Sequence, residues 1–177
     1  MPADRKPRSL RRAFNARGVF VFVMTPFKNT RDHRGRFEPD LAGMEGNARW
    51  FSRVPGEKML VICGGSGEFH SLSPSEVIAL GRAAATGAGG RCRVILGIGG
   101  PTRNAVRMAE QAQEAGVDAV LVMPHPPEVK RGEQVLWERH RAISRAIDIG
   151  LLPFRASAQL LSPGLVERFD GLPKVVA

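Results

Sequence analysis

The stretch VICGGSGEFHSLSPSE, Val61 to Glu76, sets an apolar run against three glycines, a serine and a glutamate, then a helix-start signal. Met59 to Cys63 is apolar throughout, the pattern of a strand buried on both faces inside a parallel sheet. Ser73-Pro74-Ser75-Glu76 reads as a capping box, with serine at the N-cap, proline at the first helical position and glutamate reaching back. Between them lies GGSGEF, where glycines without side chains let another molecule approach the backbone. Taken alone, the loop favours the plainer reading, a tight turn between strand and helix.

Other chemistry is thin. His33, His70, His125 and His140 show no ligand spacing of the H-E-x-x-H kind, and Glu68 with His70 is a two-residue pairing within a loop, so no metal site is expected. Cys63 and Cys92 fall at the end of one expected strand and the start of the next, opposite ends in a parallel sheet, which predicts free buried thiols and no disulfide. Gly97-Ile98-Gly99-Gly100 supplies only half of a dinucleotide fingerprint, and no G-x-x-x-x-G-K-[ST] loop occurs, which argues against nucleotide binding. The chain contains no tyrosine.

The elements that position these residues alternate. Apolar strands are expected near 18 to 24, 58 to 63, 92 to 97, 118 to 123 and 149 to 154, with amphipathic helices between them. Leu41, Met44, Ala48 and Phe51 mark the first helical face, and Leu136, Trp137, His140, Ile143 and Ile147 the fourth. The second helix is expected from Pro74 to Thr86 and the third from Thr102 to Ala115, closed by Gly116. A short helix from Pro163 to Phe169 precedes Lys174-Val175-Val176-Ala177, which reads as part of a sixth strand. Repeated βα units fit a doubly wound sheet or part of an eight-stranded barrel, and periodicity does not choose.

With 177 residues, 43% hydrophobic and 24% charged, the chain has the size and composition of one globular domain. Its longest apolar run, Gly18 to Met24, is too short to span a bilayer, and a cytoplasmic, non-membrane protein is expected. Of the formal charge of +9, residues 1 to 18 carry +5. Residues 1–17 are expected to form a disordered basic arm, and 18–177 the folded domain. Without interleaved aromatics or a binding motif, the arm alone does not argue for nucleic-acid binding.

Four blocks in order carry a resemblance: TPF (Thr25 to Phe27), GGSGEFHSLSPSE, GIGG-x-T-x-x-A (Gly97 to Ala105) and AEQAQEAGVDAVLVMP (Ala109 to Pro124). Together they resemble the dihydrodipicolinate synthase and N-acetylneuraminate lyase family over roughly Gly18 to Ala177. The Gly-Gly-Ser-Gly-Glu-Phe form looks most like 5-dehydro-4-deoxyglucarate dehydratases. The resemblance implies a (β/α)8 TIM barrel in which a lysine on strand six forms a Schiff base with a 2-keto acid, with no added cofactor. It implies that Gly65 and Ser66 hold the substrate carboxylate through backbone N–H groups and the serine hydroxyl. Glu68 and Phe69 would brace the turn, since a carboxylate aimed at an anionic ligand repels it.

The pattern breaks at two places. Family chemistry needs a desolvated amine at the C-terminal end of a barrel strand. Lys6 lies in the arm, Lys58 at the start of strand two, and Lys28 and Lys130 in polar loops. The family segment P-N-[IV]-V-G-[IL]-K puts Lys174 at the Asn and Ala177 at the Gly, so the Schiff-base lysine is expected two residues further on. The barrel is therefore expected to be truncated after about five and a half βα units. Phe154 falls at the family's proton-shuttling tyrosine, and phenylalanine lacks the hydroxyl. The paired tyrosines after strand four are replaced by Pro124-His125-Pro126-Pro127, where His125 is either a substitute for one hydroxyl or a loop residue. Arg155 is either a contact to a second carboxylate or a solvated arginine.

Two readings compete. One is a Schiff-base lyase or dehydratase acting on a keto-deoxy sugar acid, with its lysine absent from this chain. The other is a non-catalytic truncated paralogue that binds small carboxylates, forms a homo-oligomer or pairs with a full-length subunit.

Overall fold

The computed structural model describes Phe14 and residues 18–32, 35–154 and 161–176. Five strands form one parallel sheet: β1 (Val19–Phe22), β4 (Lys58–Ile62), β5 (Arg93–Ile98), β6 (Ala119–Val122) and β7 (Gly150–Pro153). Each lies beside its predecessor in this series, with Val21 opposite Leu60, Val61 opposite Ile95, Leu96 opposite Val120 and Leu121 opposite Leu152. A doubly wound sheet would reverse its order at a switch point, and here the order never reverses. The sheet is thus barrel wall, a partial TIM barrel, and the choice left open by periodicity is settled by topology. A sixth parallel strand starts on schedule: Leu151 pairs with Val175, and the Leu151 N–H donates to the Lys174 carbonyl at 2.7 Å.

Alternation along each strand divides the apolar residues into two layers. Leu60, Ile62, Val94, Leu96, Val120, Val122 and Leu151 face the helices. Met59, Val61, Ile95, Ala119, Leu121 and Leu152 face the other way, and Phe20, Phe69 and Phe154 pack against them. Both layers are buried, which explains why these strands read as unbroken apolar runs. Phe14, within the stretch expected to be an arm, is buried against this inner layer beside Gly150.

The helices are α1 (Leu41–Arg53), α2 (Pro74–Ala88), α3 (Thr102–Glu114), α5 (Glu133–Ala146) and α6 (Pro163–Asp170), with a short α4 (Pro126–Val129) between β6 and α5. The α2 capping box is complete: the Glu76 N–H donates to Ser73 Oγ at 3.3 Å, and the Ser73 N–H to Glu76 Oε2 at 2.7 Å. Gly116 follows α3 at φ +85, as a left-handed helix terminator should.

Helical faces differ from expectation at single positions. Leu41 is exposed and Phe51 only half-buried, while Met44 and Ala48 are buried as expected and Ser52 joins them. On α5 the buried stripe is Leu136, Arg139, His140, Ile143 and Ser144, while Trp137 lies at its margin between the guanidinium groups of Arg141 and Arg168. An antiparallel hairpin, β2 (Phe27–Arg31) with β3 (Phe37–Pro39), occupies the stretch before α1. Its strands are polar and half exposed, so hydrophobic alternation gave no sign of them.

Candidate functional site

Parallel pairing directs the C-terminal ends of all five strands to one rim. Residues 23–26, 63–69, 99–102, 123–127 and Phe154 follow those ends. Two of these segments are locked together. The Val23 N–H continues the ladder to the Val61 carbonyl at 3.0 Å, and the buried Thr25 hydroxyl donates to the Gly67 carbonyl at 2.7 Å. TPF and GGSGEF, separate blocks in sequence, are one unit in space.

The turn folds on itself. N–H groups of Gly67 and Phe69 donate to the Gly64 carbonyl at 3.1 and 3.3 Å, and the Glu68 N–H donates to the Gly65 carbonyl at 3.1 Å. Cys63 and Glu68 hold left-handed backbone angles, φ +54 and +56, at the two ends of the loop. Such angles are costly for residues with side chains and concentrate at functional sites. A Cβ on Gly67 would lie 2.9 Å from the Cys63 nitrogen, and one on Gly97 would lie 2.0 Å from the Cys63 carbonyl oxygen. Glycine is required at 67 for the turn to close on Cys63, and at 97 for β5 to lie this close to the end of β4.

Gly65 and Ser66 stand outside this tight packing. Both are exposed, nothing approaches within 4 Å of the Gly65 Cβ position, and neither N–H has a partner among the described residues. The start of α2 does not assist them, because a 3₁₀ turn, Phe69–Ser71, intervenes and the Glu76 N–H is taken by the capping box. Any anion at this loop would meet loop amides and the Ser66 hydroxyl, not the helix end. Burial pushes the Cys63 thiol up to about 12, partly offset by a hydrogen bond with Thr25, so it stays a neutral thiol.

Phe154 lies at the end of β7 with its N–H donating to the Val122 carbonyl at 3.3 Å, and its ring packs on the inner layer. His125 is the residue before α4 and lies next to a cluster that the sequence did not reveal. Glu128 Oε1 accepts from both the N–H and the hydroxyl of Thr102 at 2.9 Å, and Glu128 Oε2 accepts from Arg139 Nη1 at 2.8 Å. Arg139, 1% exposed, also donates to the carbonyls of Gly100 at 2.8 Å and Met123 at 3.3 Å. Burial opposes ionisation of Glu128, but the Thr102 hydrogen bonds and the charges of Arg139 and His125 outweigh it and lower its pKa. The only sequence sign of this cluster was a charged letter, Arg139, inside an apolar helical stripe.

Arg155 lies outside the described residues. Among the described lysines none reaches the rim's inner side. Lys28 pairs with Glu38 on the hairpin at 3.3 Å, Lys58 bonds the Val54 and Gly56 carbonyls at the opposite end of β4, and Lys130 is exposed after α4. Lys174 pairs with Asp148 at 2.6 Å, beside the first residue of β7 and so at the end away from the rim. Among the described residues no group of three His, Cys, Asp or Glu side chains gathers as a metal site, and no helix is long and apolar enough to cross a membrane.

The model of the dihydrodipicolinate synthetase family matches residues 15–177. The chain belongs to that family. It is 30% identical over 175 residues to a probable 5-dehydro-4-deoxyglucarate dehydratase of Allorhizobium ampelinum, covering 97% of this chain and 54% of that protein. It is 36% identical over 120 residues to another from Streptomyces coelicolor, covering 66% and 38%. Among solved structures, dihydrodipicolinate synthase from Aquifex aeolicus aligns with a TM-score of 0.68 at 28% identity, over 81% of this chain and 46% of that one. This member of the dihydrodipicolinate synthetase family thus spans about half the length of the relatives it matches. The matched residues include the GGSGEF turn, the Thr102–Glu128–Arg139 cluster and Phe154.

Proposed function

We propose that this chain carries the carboxylate-recognition part of a 2-keto acid site of the Schiff-base lyase and dehydratase type, with a keto-deoxy sugar acid as the substrate class. The supporting observation is the Gly65–Ser66 pair, whose N–H groups lie unengaged on the rim while those of Gly67, Glu68 and Phe69 donate within the turn. Two adjacent free N–H donors and a hydroxyl suit a carboxylate, and the strained ends at Cys63 and Glu68 keep the loop in that shape. The names of the aligned dehydratases support the substrate class.

Ser66→Ala removes one charge-assisted hydrogen bond and should weaken pyruvate binding by about 1 kcal/mol, roughly fivefold, in a calorimetric or NMR titration. Equal binding by parent and variant, or no binding by the parent, would take the loop out of the site.

A non-catalytic carboxylate binder is the second reading, favoured by Phe154 and by the lysine placements. Phe154 brings no proton to the rim, and Lys174 is tied to Asp148 at the far end. Borohydride added to this chain with pyruvate should then leave no reduced adduct by intact-mass analysis. An adduct mapped to any lysine would restore covalent chemistry.

A further inference from the structure

We infer that His125 and Glu128 form an oriented acid–base pair on the rim, with imidazole Nδ1–H turned to the carboxylate and Nε2 left bare as the proton acceptor. The pair rests on the keto-acid reading only for the identity of its substrate.

His125 stands at the N-cap position of α4, yet its side chain caps nothing. Its Nδ1 is buried without a hydrogen bond and lies 3.8 Å from Glu128 Oε2. A buried polar atom without a partner is uncommon and calls for a reason. Nε2, by contrast, is not sealed from solvent and meets no partner among the described residues. The ring thus has one nitrogen turned inward to a carboxylate and one facing outward.

Glu128 has the capacity to serve it. A carboxylate offers about four lone-pair sites. Thr102 takes both on Oε1 and Arg139 takes one on Oε2, which leaves one on the oxygen nearest His125. Closing 3.8 Å to a hydrogen bond needs a shift of about 1 Å or less. Arg139, which holds the same Oε2, is itself fixed by the carbonyls of Gly100 and Met123, and Thr102 holds Oε1, so the carboxylate is tethered at both oxygens. A histidine's tautomer follows the hydrogen bond made by its inner nitrogen. Here that selects Nδ1–H, opposite to the form imidazole prefers in water.

The position suits proton transfer at the same mouth. A Cβ on Gly99 would touch the Phe69 ring at 2.7 Å and Met123 Cβ at 3.3 Å, so the GGSGEF turn and the end of β6 meet across one glycine. His125 follows Met123 by two residues, and Phe154 on the neighbouring strand has no proton to give. In use, Nε2 takes a proton from a substrate hydroxyl or C–H bond and becomes part of an imidazolium facing Glu128. The same proton then passes to the leaving group or to solvent, which restores the pair.

The test is long-range 1H–15N correlation on the full chain labelled in histidine, with His125→Gln assigning the signals. At alkaline pH, where the ring is neutral, His125 should show a protonated Nδ1 and a bare Nε2, and a dominant Nε2–H form would overturn the inference. Glu128→Gln should move the tautomer population at least twofold toward Nε2–H, and an unchanged population would count equally against it. Should E128Q fail to fold, the parent spectrum decides by itself. The expected tautomer in a protein that fails the Ser66 pyruvate test would leave the pair standing and remove the keto-acid reading instead.

Discussion

His140 is buried on α5, its Nδ1 donating to the Leu136 carbonyl at 2.7 Å and its ring 4.3 Å from that of Phe169. Burial pushes its pKa down to about 4, and the neighbouring Arg139 charge pushes the same way. The folded value lies below the unfolded one near 6.5, so on acidification the unfolded chain takes the proton first. Stability contributed by neutral His140 is complete above about pH 6.5, declines toward pH 4 and levels off below, a loss on the order of 3 kcal/mol. Glu128 adds a second loss at lower pH, because its pKa is lowered and its contribution vanishes only as pH falls through that folded value. Urea midpoints measured from pH 7.5 to 3.5 should therefore fall in two stages, and His140→Phe should flatten the upper one alone. The same upper slope in parent and variant would refute the assignment. His140 was legible as part of an apolar stripe, but Arg139 was not. Its partners come from Gly100, Met123 and Glu128, on three segments whose convergence no helical periodicity encodes.

At the scale of elements, the rim is set by how closely β4 and β5 approach. Continuous apolar runs and the Ser73–Glu76 capping signal made strands and helices legible, because burial on both faces and cap chemistry are local properties. The hairpin before α1 was not legible, since its residues Phe27 to Arg31 bury almost nothing. Glycines of the GGSGEF turn and of the GIGG segment looked alike as letters and differ in duty. A methyl group on Gly97 would meet the Cys63 carbonyl oxygen at 2.0 Å, a main-chain atom that moves only if the strand moves. Gly65 has open space. Gly97→Ala should destabilise the chain by about 3 kcal/mol, as overpacking does, whereas Gly65→Ala should fall within about 0.5 kcal/mol of the parent. Fluorescence-detected urea unfolding, with Trp50 and Trp137 as reporters, compares the two. Equal stabilities would mean that β5 is not held against the turn in the way described.

For the molecule as a whole, parallel order without reversal and two buried layers make a stretch of barrel wall, and a wall has sides. Among the described residues β1 pairs only with β4, which leaves its other edge unpaired. Val19 at 63% and Met24 at 73% exposure lie on or just beyond that strand, and Trp50 on α1 is 64% exposed. An open strand edge flanked by large apolar side chains is a template for pairing with another chain. In a closed barrel of eight strands such an edge does not exist. The 177-residue chain by itself should therefore self-associate or bind a hydrophobic dye, by light scattering and fluorescence across micromolar concentrations. Val19→Glu combined with Met24→Glu places charge on that strand and just past its end, at positions outside the Thr102–Glu128–Arg139 cluster, and should reduce both signals while leaving far-ultraviolet circular dichroism unchanged. A dye-negative monomer in the parent would show that the edge is covered in solution. Undiminished association in the doubly charged variant would move the interface from β1 to the α1 surface around Trp50, where Trp50→Glu would then be the effective change.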